Sequence, residues 1–304
     1  MWAKRGGKRE GATVSVGTPN ERSPSCHGLV TAIPIMSLVS IDAHAYTALP
    51  IAAARALSYD RGLIDDPLAA KLVAGETQLM RNGANVEYMT MRCLLGDELV
   101  LERHENAGVR QVVSIGAGMD SRAFRLGLND TTFFEVDKQG LFDLKEPLVA
   151  DVPLQAAARK VVHGTVGEID LASKLREVGF DSSQPSVWLM EGLLPYITRP
   201  KMIELAKEIG ALSAPGSGLW GDGFSKTSVD RGIVFHGVPF ESGFDDYDVL
   251  FREAGFDQSQ AFDFAGISID QRTGRMSIDA RYMLTPEKAR GRDMCLMVRA
   301  YKGV

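Results

Sequence analysis

The stretch Val112-Val113-Ser114-Ile115-Gly116-Ala117-Gly118-Met119-Asp120-Ser121 decides how this chain is read. A β-branched run enters a Gly-Ala-Gly turn, and polar residues then open a helix. Without side chains at 116 and 118, the backbone can pass close to a ligand. A dinucleotide fingerprint calls for a third glycine where Ser121 stands. Asp120 places a carboxylate where a pyrophosphate would be repelled, whereas a cationic amino-acid end would be tolerated. S-adenosylmethionine carries a sulfonium and an ammonium, so the turn favours it over NAD. Gly116, Ala117, Gly118 and Asp120 are the first candidate cofactor residues.

Downstream, Phe133-Phe134-Glu135-Val136-Asp137 reads as the next strand. It ends in acids about twenty positions after Gly116, where a carboxylate can accept both hydroxyls of a ribose. Asp137, at the strand's end, is the first choice. Glu135 points the same way by the two-residue period of a strand and is the second.

Around these segments, strands are expected over 111–115, 132–136, 160–163, 187–190, 218–221, 261–264 and 294–301. Helices are expected over 120–126, 138–159 (with Pro147 and Pro153 as points where it can break), 168–178, 199–211 and 247–254. Strands interleaved with helices imply a mostly parallel, doubly wound sheet of seven strands, with the ligand outside their carboxyl ends. Before the first strand, helices are expected over 43–57, after the Ile64-Asp65-Asp66-Pro67 turn, and over 86–105. The organisation expected is one α/β domain over 37–304, with a helical cap at 37–108 and a Rossmann-like core at 109–304. A substrate-covering segment is expected near 223–244. Residues 1–36 are Gly-, Ser- and Arg-rich and read as a poorly ordered tail, with Met36 as an alternative start of the folded part.

The 304 residues are 45% hydrophobic with a net charge of −5, which argues against a surface that coats nucleic acid. No stretch reaches the roughly 20 apolar residues a spanning helix needs. Cys26, Cys93 and Cys295 are too scattered for a zinc pattern or a disulfide framework, so a reducing, cytoplasmic setting and no metal are expected.

Taken together, Gly116 to Leu126, Phe134 to Asp137, Ile64 to Pro67, Arg92, and Trp188-Leu189-Met190-Glu191-Gly192-Leu193-Leu194-Pro195-Tyr196-Ile197 resemble the leucine carboxyl methyltransferase family. That family includes tetracenomycin-type polyketide O-methyltransferases. The resemblance implies a class I methyltransferase fold with S-adenosylmethionine as cofactor. It implies that Arg92 meets the methionyl carboxylate, Gly116 the close approach, Asp137 the ribose, and Glu191 the amino-acid end. Arg55 falls near a basic position of the family's N-terminal region. The family's Asp-Leu pair at the adenine is replaced by Thr165-Val166, while an Asp170-Leu171 pair follows five residues later.

Chemically, Tyr196 is expected to orient an acceptor, and Arg92 is placed with it in the reacting centre. A carboxylate acceptor arrives ionised and needs no base, so alignment and exclusion of water suffice. A hydroxyl acceptor would require a base, and His44, His104, His163 and His236 share no spacing that assigns one. The expected function is O-methylation of a small metabolite, a carboxylate first and a hydroxyl second, with no nucleic-acid or membrane partner. Methylation of a protein C-terminus or a tRNA base, and a non-catalytic binding module, are the alternatives.

Overall fold

The structure, a computed structural model, describes residues 43–74, 76, 79, 86–269 and 276–303. The expected tail and the first residues of the expected domain lie outside them. The chain enters through helices α1 (Ala43–Asp60) and α2 (Val86–Ala107), then alternates β1 (Gln111–Ile115), α3 (Arg122–Arg125), β2 (Thr132–Asp137), α4 (Gln139–Val149), β3 (Ala158–His163), α5 (Leu171–Glu177), β4 (Ser186–Met190), α6 (Arg199–Leu212) and β5 (Gly218–Phe224). There follow α7 (Lys226–Asp230), a hairpin of β6 (Val234–Phe235) and β7 (Val238–Pro239), and α8 (Tyr247–Glu253). Next come β8 (Gln258–Asp263), a second hairpin of β9 (Ile267–Ile269) and β10 (Met276–Ile278), then β11 (Met283–Leu284), α9 (Pro286–Ala289) and β12 (Cys295–Tyr301).

One sheet runs β11-β8-β12-β5-β4-β1-β2-β3. The five strands β1 to β5 are parallel, and β12 pairs antiparallel with both β5 and β8. The chain thus builds outward from β1 in both directions, and the reversal of strand order between β1 and β4 makes the crevice at their carboxyl ends. Eight strands replace the expected seven. The extra one is the two-residue β11, which pairs Met283 and Leu284 with Phe262 and Ala261 at the sheet edge.

Both faces of the sheet are covered, so its central strands are buried at every position, as in β1 and β4. Alternate residues divide between two cores. Val112, Phe133, Leu189 and Trp220 pack on the side of α1 and α2. Val113, Phe134, Trp188 and Leu219 pack on the side of α5 and α6. The helical cap is therefore one of the covering layers, with α2 lying against β4 and β5.

Two expected helices are shorter or different. After Pro67 the chain makes turns and a short 3-10 turn over Lys71–Val73, closed by Ala74 at φ +55°. The helix expected over 138–159 stops at Val149. Ala158 and Arg159 instead extend β3 by pairing with Thr132 and Phe133, a long-range contact that overrides local propensity.

Candidate functional site

A cavity of about 660 Å³ opens at the carboxyl ends of the parallel strands. Gly116 to Asp120 form one wall, Asp137 and Lys138 the next, and Thr165 and Val166 follow after β3. Glu191 and Gly192 enter after β4 and Asp222 from β5, and Ile51, Arg55, Tyr88 and Arg92 of α1 and α2 close it from above.

The Gly-rich turn is held against β2 by its backbone. Gly116 and Ala117 both donate N–H to Val136 O, at 2.9 and 3.1 Å. Gly116 has φ +66°, and a Cβ there would meet Leu193 Cδ1 at 2.9 Å, so only glycine fits. Gly118 N–H donates to Asp137 Oδ2 at 2.8 Å and Lys138 N–H to Asp137 Oδ1 at 2.7 Å. The Asp137 carboxylate is thereby fixed at the cavity wall. Burial raises its pKa, and the Gly118 and Lys138 amides oppose the rise.

Glu135 departs from the sequence expectation. It does not line the cavity; it receives Lys145 Nζ at 2.7 Å and Arg159 Nε and Nη2 at 2.8 and 2.7 Å. Two residues before the strand's end, its side chain is enclosed by α4 and β3, whereas Asp137 stands where the chain leaves the sheet. The two candidate adenine-side pairs are placed differently. Thr165 and Val166 lie at the cavity, while Asp170 caps α5 by accepting Ser173 N–H at 2.9 Å and is exposed.

Behind Asp120 lies an ion network that sequence reasoning did not find. Arg122, 3% exposed, donates to Asp97 Oδ1 at 2.7 Å, Asp120 Oδ2 at 3.1 Å, and Glu191 Oε1 and Oε2 at 2.8 and 3.1 Å. Arg125 clamps Asp97 at 2.6 and 2.8 Å. Arg55 lies 3.0 Å from Asp66 and donates to Met119 O. Ser121 hydroxyl joins Asp66 at 2.8 Å, which ties the turn to the Ile64–Pro67 segment. Burial opposes ionisation of Asp97 and Asp120, but their arginine partners prevail and hold both carboxyls below the usual range. Glu191 is pushed up by burial in spite of Arg122 and Arg92.

Four carboxylates (Asp66, Asp97, Asp120 and Glu191) meet three guanidiniums (Arg55, Arg122 and Arg125) in this network. One negative charge is left over beside the cavity. An uncompensated buried charge is costly, and a cationic ligand end would relieve it. Asp120 both lines the cavity and accepts from Arg122. The pairing also fixes a glycine. A Cβ at Gly96 on α2 would come 2.3 Å from Glu191 Oε1 and 2.6 Å from Arg122 Nη2. Gly96→Ala is expected to lower stability by about 1–3 kcal/mol through overpacking and to disturb ligand affinity as well; unchanged thermal unfolding and ligand titration would contradict this.

Arg92 is 5% exposed and donates Nη1 to Asp222 Oδ2 at 3.2 Å. Tyr88 hydroxyl donates to the same oxygen at 2.5 Å, and Gly192 N–H to Asp222 Oδ1 at 2.6 Å. Asp222 thus anchors Arg92, Tyr88 and the loop after β4 together. The sequence singles out neither: the expected strand ends at Gly221 whereas β5 continues through Asp222-Gly223-Phe224, and Tyr88 is one of many residues in the helix expected over 86–105. Arg92 remains a fork with further N–H groups at the cavity, the geometry a carboxylate takes.

The remaining half of the cavity is aromatic. Tyr196 meets Phe240 edge-on at 5.2 Å and His44 at 5.8 Å, and Phe240 meets Phe224 at 5.0 Å. Tyr88 meets Phe264 at 5.2 Å. Phe235 and Phe240, from the hairpin within the expected covering segment, line the cavity. Burial pushes the Tyr196 phenol up, so it stays protonated and can donate a hydrogen bond. Tyr196 and Arg92 line the same cavity.

Strand order, the Gly-rich turn and the acid at the end of β2 define a Rossmann-like class I methyltransferase fold. The family model for "Leucine carboxyl methyltransferase" matches residues 48–210, and the chain belongs to that family. A Streptomyces coelicolor protein named as an S-adenosyl-L-methionine-dependent methyltransferase is 36% identical over 192 residues, which cover 57% of this chain and 63% of that protein. A similarly named Mycolicibacterium paratuberculosis protein is 31% identical over 259 residues, covering 79% and 86%. The chain thus spans under two thirds of the first of these and most of the second. Among solved structures, a Thermobifida fusca protein overlaps 87% of this chain and 95% of its own, with 16% identity and a TM-score of 0.47. No helix among the described residues is long and apolar enough to cross a membrane.

Proposed function

We propose that this chain is an S-adenosylmethionine-dependent O-methyltransferase that acts on a small metabolite in the cytoplasm, with a carboxylate as the preferred acceptor and a hydroxyl as the second. The observation that supports it most is the surplus negative charge of the Asp97–Asp120–Arg122–Glu191 network, set beside a cavity whose nucleoside end carries Asp137. A sulfonium and an ammonium match that charge, and a pyrophosphate does not.

Bound there, S-adenosylmethionine supplies an activated methyl group. Asp137 accepts the ribose hydroxyls, Thr165 and Val166 flank the adenine, and Arg92 receives the methionyl carboxylate. Gly116, Ala117 and Gly118 bring the backbone close to the ligand, while Asp120 and Glu191 face its cationic end. Phe224, Phe235 and Phe240 exclude water from the acceptor half, which strengthens every charge interaction inside it. Tyr196 donates to the acceptor and aligns it for in-line attack. With an ionised carboxylate the chain need supply no base.

Radiolabelled methyl transfer to panels of carboxylic acids and phenols tests this reading. Alkali-labile product marks a methyl ester, alkali-stable product a methyl ether, and label in protein or tRNA fractions would turn the assignment to those acceptors. Glu191 gives a further check. Its pKa is raised in the ligand-free site, so its contribution to folding is lost as pH rises through that value. A bound cation restores it and competes with the proton. S-adenosylmethionine should therefore bind more weakly, and raise the unfolding temperature less, as pH falls through the Glu191 titration. A ligand-induced shift that grows on acidification would contradict the placement.

A further inference from the structure

The two oxygens of Glu191, a residue of the cavity wall, are held unequally. Oε1 accepts from Arg122 Nη2 at 2.8 Å and from Trp220 Nε1 at 3.0 Å. Among the described residues Oε2 has a single donor, Arg122 Nη1 at 3.1 Å. A carboxylate oxygen takes about two donors, so Oε1 is satisfied and Oε2 keeps a site. The packing agrees. A Cβ at Gly96 of α2 would come 2.3 Å from Oε1 and 3.1 Å from Trp220 Cδ1, so the helix closes over that oxygen and the indole edge together. Trp220 is fully buried in β5, paired across from Leu189 and Arg299, with its ring against Phe262. Its N–H is a neutral donor. It therefore fixes the carboxylate without cancelling the surplus charge beside the cavity, as a second cation at Oε1 would.

We propose that Trp220 is a positioning residue of the cofactor site, its indole N–H occupying Oε1 of Glu191 and leaving Oε2 for the ammonium of S-adenosylmethionine. The inference rests on the assignment of Glu191 to that ammonium. Arg122 alone donates to both oxygens and would leave either one open to the ligand. The Trp220 donor removes that choice, and a ligand group that meets one preset acceptor loses less affinity to ordering. Trp188 supplies a contrast within the same sheet. It is as fully buried, in the opposite core, and its Nε1 has no partner among the described residues. The bond from Trp220 is thus a property of this site, not a requirement of every buried indole in the sheet.

The test is titration of full-length protein with S-adenosylhomocysteine and with its deaminated analogue, which keeps the nucleoside and the carboxylate. Trp220→Phe retains an aromatic ring in β5 and lacks the N–H. It should bind S-adenosylhomocysteine about ten-fold more weakly than wild type, the scale of one hydrogen bond to a charged group, and bind the analogue as wild type does. Trp188→Phe, the same truncation in the other core, should leave both affinities unchanged. Weakening of both ligands alike by Trp220→Phe, or of neither, would overturn the proposal. A second readout needs no change at Trp220 and decides the matter if that variant does not fold. In protein with isotope-labelled indoles, Trp2→Phe and Trp188→Phe identify the remaining N–H resonance as that of Trp220. It should move when S-adenosylhomocysteine binds and distinctly less with the analogue; equal movement with both would count against the role. Equal affinity of wild type for the two ligands would instead remove Glu191 from the ammonium, which separates the failure of that reading from the failure of this one.

Discussion

Asp137→Ala should lose S-adenosylhomocysteine affinity by at least about 100-fold, while the protein remains folded. Two hydrogen bonds from ribose hydroxyls to a carboxylate contribute about 1.5–3 kcal/mol each, so their joint loss is about 3 kcal/mol or more. The substitution also releases the Gly118 and Lys138 amides, which the carboxylate holds at 2.8 and 2.7 Å. The turn that approaches the ligand therefore loosens as well. Calorimetric titration, with unfolding temperature recorded in parallel, measures both effects. A folded variant with unaltered affinity would place the ribose elsewhere.

Arg122→Leu is expected to have the largest effect on stability. Arg122 is the common partner of Asp97, Asp120 and Glu191 in the interior. Its removal leaves Asp120 and Glu191 buried without an ion-pair partner in the network, and Asp97 with Arg125 alone. Breaking a buried pair in this way costs about 3–5 kcal/mol. In a domain of this size that lowers the unfolding temperature by on the order of 10 °C. The pH dependence has a definite sign. Asp97 and Asp120 have depressed pKa values in the folded protein, so the stability they contribute is present above the ordinary aspartate range and lost as pH falls through the folded values. The variant lacks that contribution, and the gap between variant and wild type should narrow on acidification. A gap that widens towards low pH would show that the network is not held by these charges.

The sheet was legible because its signals are local. The β-branched run of β1, the Gly-Ala-Gly turn and the acid closing β2 lie within 30 residues. Burial on both faces left β4 reading as the apolar run Val187–Met190 and β1 as a mostly apolar segment around Val112-Val113. Signals failed where the partner is distant. Arg122 and Arg125 sit at i and i+3 of a helix just after Asp120, a spacing that places them on one side. Their acids on α2 and after β4 are 25 and 69 residues away from Arg122, and no periodicity announces them. Glu135 and Asp137 could not be separated by the strand period, which gives both the same face. What separates them is the buried Lys145 of α4, ten residues beyond Glu135, which pairs with Glu135 and not with Asp137. β3 began two residues earlier than expected because pairing with Thr132 and Phe133, rather than the composition of Ala158 and Arg159, sets its start. Asp222 was hidden by the glycines beside it. In β5 those glycines mark close packing, since a Cβ at Gly223 would meet Tyr247 Oη at 2.3 Å.

A crystal structure with S-adenosylhomocysteine bound is the most direct measurement. It should show both ribose hydroxyls on the Asp137 carboxylate, the amino-acid carboxylate on Arg92 and the ammonium towards Glu191. A nucleoside bound away from the ends of β1 and β2, or an amino-acid end turned from the Arg122 network, would contradict the account.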